Sequence, residues 1–257
     1  MGVYSEINLN TINEILSYYG VGKASTFEPT IMGISNSNFK VVLENNRKLL
    51  LKVSNDKTIS QLENEQTILL VLKKYDYAFS LPPLETTCGK AIYRHEKFFG
   101  VLFPFIDGLP PFINSDSIYQ IGMALGQLHS LEIHSEDLSL IRKHEVVGHD
   151  AFALMKYVQC QECPVDFKAS FDRVFGKKLE DVPYDLLPAG LIHGDLYYDN
   201  SLFDQEKLIT LIDFEQSGTG RFILDIGIAI SGSCLNSDKT NIDELLMERF
   251  LDGYERA

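Results

Sequence analysis

The sequence predicts an α+β fold: a small, mostly antiparallel sheet with one internal helix, followed by a mainly helical part. Three observations carry this. Strand-like apolar runs crowd the chain up to residue 106. After "DGLPP" the apolar spacing becomes helical. The two patterns meet at the Pro-containing stretch 107–111, which divides the chain into 1–106 and 107–257.

The elements follow in order. "NTINEILSYYG" spaces Ile12, Ile15, Leu16 and Tyr19 for one helix face, and Gly20 and Gly22 can end it. After Pro29, "TIMGISNSNFKVVLENNRKLLLKVS" reads as two strands joined through "ENNRK", with Gly33 and a Ser/Asn cluster interrupting the start of the first. "ISQLENEQTILLVLKKY" is an amphipathic helix with Leu62, Leu69 and Leu72 on one face and Glu65 beside them. "KAIYRHEKFFGVLFPFIDG" gives two strands with a turn near "HEK". Beyond the boundary, "SIYQIGMALGQLHSLEIH" is a helix striped by Ile121, Ala124, Leu125 and Leu128. "HDAFALMKYVQ" and "VDFKASFDRVFGKKLEDV" also read as helical. Two short strands, "SLFDQ" and "LITLIDF", precede helices at "ILDIGIAISG" and "NIDELLMERFLDGYERA".

Composition excludes several functions. At 257 residues, 45% hydrophobic and 23% charged, the chain can bury a core without staples. A net charge of −13 argues against binding a nucleic-acid backbone, although a cationic substrate could use an acidic groove. No apolar run is long enough to span a bilayer, and the N-terminus lacks the pattern of a signal peptide. Glu6 stands where myristoylation wants Ser or Thr. A cytoplasmic location without a membrane partner is expected. Cys160 and Cys163 form one C-x-x-C with His144 and His149 upstream; without a second tight pair, this reads as reduced structural thiols rather than a metal or redox site.

The chemistry concentrates in "IHGDLYYDNSLFDQEKLITLIDFEQ". A loop between buried segments can aim polar side chains at one point while its flanks hold it rigid. Asp195 and Asn200 lie five apart in the loop, and Asp213 follows the strand-like "LITLI". The oxygens of Asn200 and Asp213 make a hard-donor set suited to Mg²⁺, which takes few protein oxygens together with phosphate and water. Asp195 remains free to accept a proton from a hydroxyl.

The H-x-D-x-x-x-x-N and I-D-F pattern, here "HGDLYYDN" and "IDFE", resembles the aminoglycoside phosphotransferase/choline kinase superfamily. The resemblance implies a protein-kinase-like fold, with a small antiparallel-sheet N-lobe for nucleotide and a mainly helical C-lobe for catalysis. It implies ATP and Mg²⁺ as cofactors and a small-molecule hydroxyl compound as acceptor. "MGISNSNFKV" then matches the loop that covers phosphates, where Ser35, Asn36, Ser37 and Asn38 can offer donors, though the loop lacks a full G-x-G-x-x-G. Lys52 in "LLLKVS" matches the phosphate-pairing lysine, and Glu65 its helix partner, with Glu63 as a rival. "VLFPFIDG" matches the interlobe connection and places adenine near Phe103, Phe105 and Ile106. His193 reads as a structural residue, and Asp225 either caps its helix or, as the resemblance implies, supports the catalytic loop. Asp199 suits a turn, and Tyr197 and Tyr198 suit packing.

Within the superfamily the chain most resembles the type II homoserine kinases, through "LSYYGVG", "GISNSNFKV", "LPAGLIHGDLYYDNSLFD" and "FLDGYERA". Such kinases continue through further helices on the acceptor side, so the resemblance implies either that the C-lobe is truncated at Ala257 or that the family's C-terminal part is absent. Two alternatives stay open: an aminoglycoside or choline-type phosphotransferase, and a nucleotide-binding pseudokinase. The intact Asp195, Asn200 and Asp213 set argues against the second, and the short C-terminus argues for it.

Overall fold

The computed structural model describes residues 7–30, 36–55, 57–141, 156–174 and 186–257. Helix α1, Leu9–Tyr19, is capped by Asn8, whose side chain accepts the Thr11 N–H, and ends at Gly20 in the left-handed region. Its Ile12, Ile15, Leu16 and Tyr19 are buried, as their spacing requires. They pack on one face of an antiparallel sheet made of β1 (Ala24–Pro29), β2 (Asn36–Leu43), β3 (Lys48–Ser54), β4 (Ile92–His95) and β5 (Phe98–Pro104). The spatial order is β1-β2-β3-β5-β4. Alternation sends Phe39, Val41 and Leu43 of β2, with Leu49, Leu51 and Val53 of β3, into this α1-side core.

Helix α2, Ile59–Lys74, begins in a reciprocal capping box between Thr58 and Gln61. It buries Leu62, Ile68, Leu69, Val71 and Leu72 in a second, larger core that continues into the later part of the chain. That part holds α3 (Ser115–His129), α4 (Ser135–Leu140), α5 (Val165–Val174), α6 (Phe222–Ser233) and α7 (Glu244–Glu255). Two short antiparallel pairs complete it: β7 (Ser201–Asp204) with β8 (Lys207–Leu211), and β6 (Ala189–Ile192) with β9 (Gly218–Arg221). After β5, the chain is tied to β7 by reciprocal backbone bonds between Leu109 and Phe203 at 3.0 and 2.8 Å.

Helices α3 and α7 approach so closely that side chains would not fit. A Cβ on Gly122 would lie 2.1 Å from the Phe250 carbonyl oxygen, and one on Gly253 would lie 2.1 Å from that of Tyr119. The glycines let the backbones touch and bring Tyr254 onto His129.

The sheet starts earlier than the sequence suggests, because β1 runs up to Pro29 instead of the sheet beginning after it. Strands β6 and β9 are likewise additions. The expected helix at 149–159 falls mostly outside the described residues, as do His144, His149 and Ser35. Cys163 is buried with Val158 and Phe171, and Cys160 is exposed. Among the described residues no helix is long and apolar enough to cross a membrane.

Candidate active site

The loop quoted above is built around a buried carboxylate. Asp225, in the first turn of α6, accepts the backbone N–H of His193 at 2.7 Å and that of Gly194 at 2.8 Å. It also receives His129 Nε2 at 3.0 Å, while the Tyr254 hydroxyl meets His129 Nδ1 at 2.9 Å. Burial alone would raise the Asp225 pKa. The His129 hydrogen bond, followed by the fields of His129 and His193 and the Gly194 N–H, outweighs burial and holds it below the ordinary carboxylate range. Asp225 does not cap its helix, whose N-cap is Arg221; it fixes the backbone directly before Asp195.

His193 fixes the loop from within. Its Nε2 lies 3.0 Å from the Ile212 carbonyl oxygen, which can only accept, so Nε2 carries the proton. Nδ1 is then free to accept the Asp195 N–H at 3.3 Å. Burial lowers the His193 pKa, consistent with this neutral tautomer. Ser217 Oγ donates to the His193 carbonyl at 2.7 Å.

Asn200 closes the loop by donating from Nδ2 to the Asp195 carbonyl at 2.7 Å and to Asp195 Oδ2 at 3.3 Å. Its own carbonyl accepts the Ile212 N–H at 2.9 Å, which ties the loop to the segment carrying Asp213. Burial raises the Asp195 pKa; His193 opposes this, while Asp213 adds to it. Asp213 has φ 66° and ψ 55°, a left-handed conformation that costs a non-glycine residue roughly 1–3 kcal/mol. Its Oδ1 is buried and meets no hydrogen-bond donor among the described residues. With the Asn200 amide nitrogen turned to Asp195, the amide oxygen remains as a second donor. One carboxylate and one amide oxygen fit a hard divalent cation that also takes phosphate and water.

The sheet supplies the opposite wall. Lys52 Nζ lies 3.9 Å from Glu65 Oε1 and 5.8 Å from the centre of the Phe103 ring. Burial disfavours the Lys52 charge, but the fields of Glu65, Asp213 and Glu215 leave its pKa raised. The rival Glu63 points elsewhere, 4.0 Å from Arg94. Asn36 Nδ2 donates to Glu215 Oε1 at 2.7 Å. Ser37 stands apart: it pairs with Val53, on the α1 side of the sheet, and its Oγ accepts from Asn55 at 2.9 Å. Phe105 and Ile106 lie just past β5, where the Phe105 N–H donates to the Lys48 carbonyl at 3.2 Å and Lys40 sits 5.0 Å from the Phe105 ring centre.

Sequence reasoning missed three participants. Lys57 pairs with both Glu65 and Glu215. Glu215 lies inside the quoted "IDFE", and His129 ends the α3 stripe, so each had a visible signal; Lys57 had none. Among the described residues no group of three His, Cys, Asp or Glu side chains could hold a metal. A cation here would thus depend on the amide oxygen and on ligand atoms.

Known proteins resemble the chain over nearly its whole length. A homoserine kinase of Bartonella henselae is 25% identical over 267 residues, covering 100% of this chain and 79% of its own. A homoserine kinase of Rhodopseudomonas palustris is 24% identical, with 100% and 78% covered. Among solved structures, amicoumacin kinase hAmiN, in complex with AMP-PNP, Ca²⁺ and Ami, superposes with a TM-score of 0.71 at 16% identity, covering 97% of this chain and 78% of its own. A microcompartment-associated aminopropanol kinase gives 0.70 at 18%, with 97% and 81% covered. The fold is therefore protein-kinase-like, as the family resemblance implied. Residues 26–257 match the phosphotransferase enzyme family (APH), and the chain belongs to that family of small-molecule phosphotransferases.

Proposed function

We propose that the chain is an ATP-dependent kinase that transfers the γ-phosphate to the hydroxyl of a small molecule, with homoserine as the favoured acceptor. The observation that carries this is the convergence of Asp195, Asn200 and Asp213 through one hydrogen-bonded loop, opposite the Lys52–Glu65 pair. In this reading residues 1–106 form the nucleotide lobe and 107–257 the catalytic lobe. Adenine stacks near Phe103 and meets the backbone of Phe105 and Ile106. Lys52, oriented by Glu65, faces the phosphates, and Asn36 borders them. Asn200 and Asp213 would hold Mg²⁺, which when bound offsets phosphate charge.

Asp195 orients the acceptor hydroxyl and receives its proton. The hydroxyl oxygen bonds to the γ-phosphorus as the bond to the β–γ bridging oxygen breaks, and ADP departs. Little covalent chemistry falls to the protein, so rigid positioning supplies most of the rate. The Asp225–His193 framework supports that rigidity.

Homoserine is favoured by the likeness to homoserine kinases along the whole chain. An antibiotic or amino-alcohol acceptor is the second reading, supported by the solved neighbours named for amicoumacin and aminopropanol. The test measures ADP release with Mg·ATP alone and with each acceptor. L-homoserine should stimulate release above the basal rate, and Asp195→Asn should remove the stimulation. Stimulation by an aminoglycoside or choline but not by homoserine would move the acceptor assignment while retaining the kinase reading.

A further inference from the structure

Lys57 is the most unusually placed cation near the cleft. It directly precedes Thr58, the N-cap of α2, where the helix dipole disfavours a positive charge. The capping box fixes the backbone beside it, with the Thr58 N–H donating to Gln61 Oε1 at 2.9 Å. The Lys57 side chain is nevertheless only 11% exposed, between two carboxylates. It donates to Glu65 Oε2 at 3.1 Å and pairs with Glu215 Oε1.

Each carboxylate has a second partner. Glu65 turns Oε1 to Lys52 and Oε2 to Lys57, and its side chain is 3% exposed. Glu215 Oε1 also accepts from Asn36. The result is a continuous path, Lys52–Glu65–Lys57–Glu215–Asn36. It leaves the sheet at β3, crosses α2, reaches the turn after Asp213 and returns to the sheet at β2. The path spans the cleft, because Glu215 belongs to the part of the chain that carries Asp195 and Asn200. Helix α2 also packs against the Phe214–Gln216 turn.

We propose that Lys57 is a positioning residue that clamps the start of α2 to the acidic turn at Glu215, setting the distance between the two lobes and the orientation of Glu65. The role in nucleotide binding rests on the kinase reading above; the clamp itself does not. Removing the Lys57 charge leaves Glu65 with its more distant partner Lys52 and Glu215 with a neutral amide. An under-compensated buried carboxylate is costly, so both segments should loosen together.

The test has two arms. In the first, amide hydrogen exchange is measured on the nucleotide-free chain. Lys57→Met should accelerate exchange in both 59–66 and 213–217, Glu215→Gln should do the same, and the double variant should be less than additive. In the second, calorimetry should show Mg·ATP affinity reduced about tenfold in Lys57→Met, within the usual range of coupling between sites. Lys57→Arg, which keeps the charge and reach, should recover both properties. Exchange that changes in one segment only, additive effects in the double variant, or failure of the arginine variant to recover would overturn the clamp. If the unsubstituted chain binds no nucleotide, the kinase reading fails and the exchange arm alone decides for or against the clamp.

Discussion

The carboxylate of Asp225 accepts the backbone N–H of His193 at 2.7 Å, so a buried charge in α6 sets the backbone conformation directly before Asp195. Asp225→Asn keeps the shape but presents an amide N–H₂ where two backbone N–H groups and His129 converge. The substitution should destabilise the fold by about 3–5 kcal/mol, as expected when one partner of a buried charged network is neutralised. Urea denaturation measures it, and a loss below 1 kcal/mol would show that the loop does not depend on this carboxylate.

The same group predicts an acid limb of stability. Its folded pKa is depressed, so its contribution is fully present above the unfolded aspartate value of about 3.9 and lost as pH falls through the lower folded value. The titratable groups that face it are His129, His193, Tyr77 and Tyr254, the last also linked through His129. Unfolding free energies from pH 2 to 6 should fall on the acid side, and Asp225→Asn should flatten that fall.

Lys52→Ala should weaken Mg·ATP binding about tenfold or more while the melting temperature changes little. The fold tolerates it because Glu65 retains Lys57 at 3.1 Å, and Lys52 contributes no apolar core. A collapsed melting temperature with unchanged nucleotide affinity would make Lys52 a structural residue.

Asp213 needs a substitution that separates charge from backbone strain. Asn tolerates the left-handed region better than Ala, so Asp213→Asn retains the turn and removes the carboxylate. Turnover should fall at least about a hundredfold, the scale of losing one preorganised electrostatic contact. Near-normal kcat with unchanged Mg²⁺ dependence would refute the cation assignment.

What the sequence revealed depended on whether a signal was local. Helix α1 was legible because four buried residues recur at helical spacing, and β7 and β8 because short apolar runs flank a turn. Strand β1 was not, because "ASTFEP" buries only Ala24 and shows no alternation. The β6–β9 pair is four residues a side, and "GTGR" carries no strand propensity to reveal it. In the site, Asp195, Asn200 and Asp213 stood out through joint spacing. Ser37 lies one register step from the side of the sheet occupied by Lys52, a parity that the Ser/Asn cluster does not show by itself. Lys57 was invisible because its partners are eight and 158 residues away, and no spacing rule relates a loop lysine to both.

Two helical glycines should respond in opposite ways to an added methyl group. At Gly122 an added Cβ would stand 2.1 Å from the Phe250 carbonyl oxygen, and backbone on both sides leaves nothing flexible to yield. Gly122→Ala must therefore push α3 from α7, at a cost of about 1–3 kcal/mol or more. The displacement should reach the active site, because α7 carries Tyr254 onto His129, and His129 donates to Asp225. At Gly227, inside α6, an added Cβ meets nothing within 4 Å. Gly227→Ala should gain about 0.5–1 kcal/mol from helix propensity alone. Paired denaturation curves check both. Equal effects of the two substitutions would mean that propensity, rather than the close crossing of α3 and α7, governs both positions.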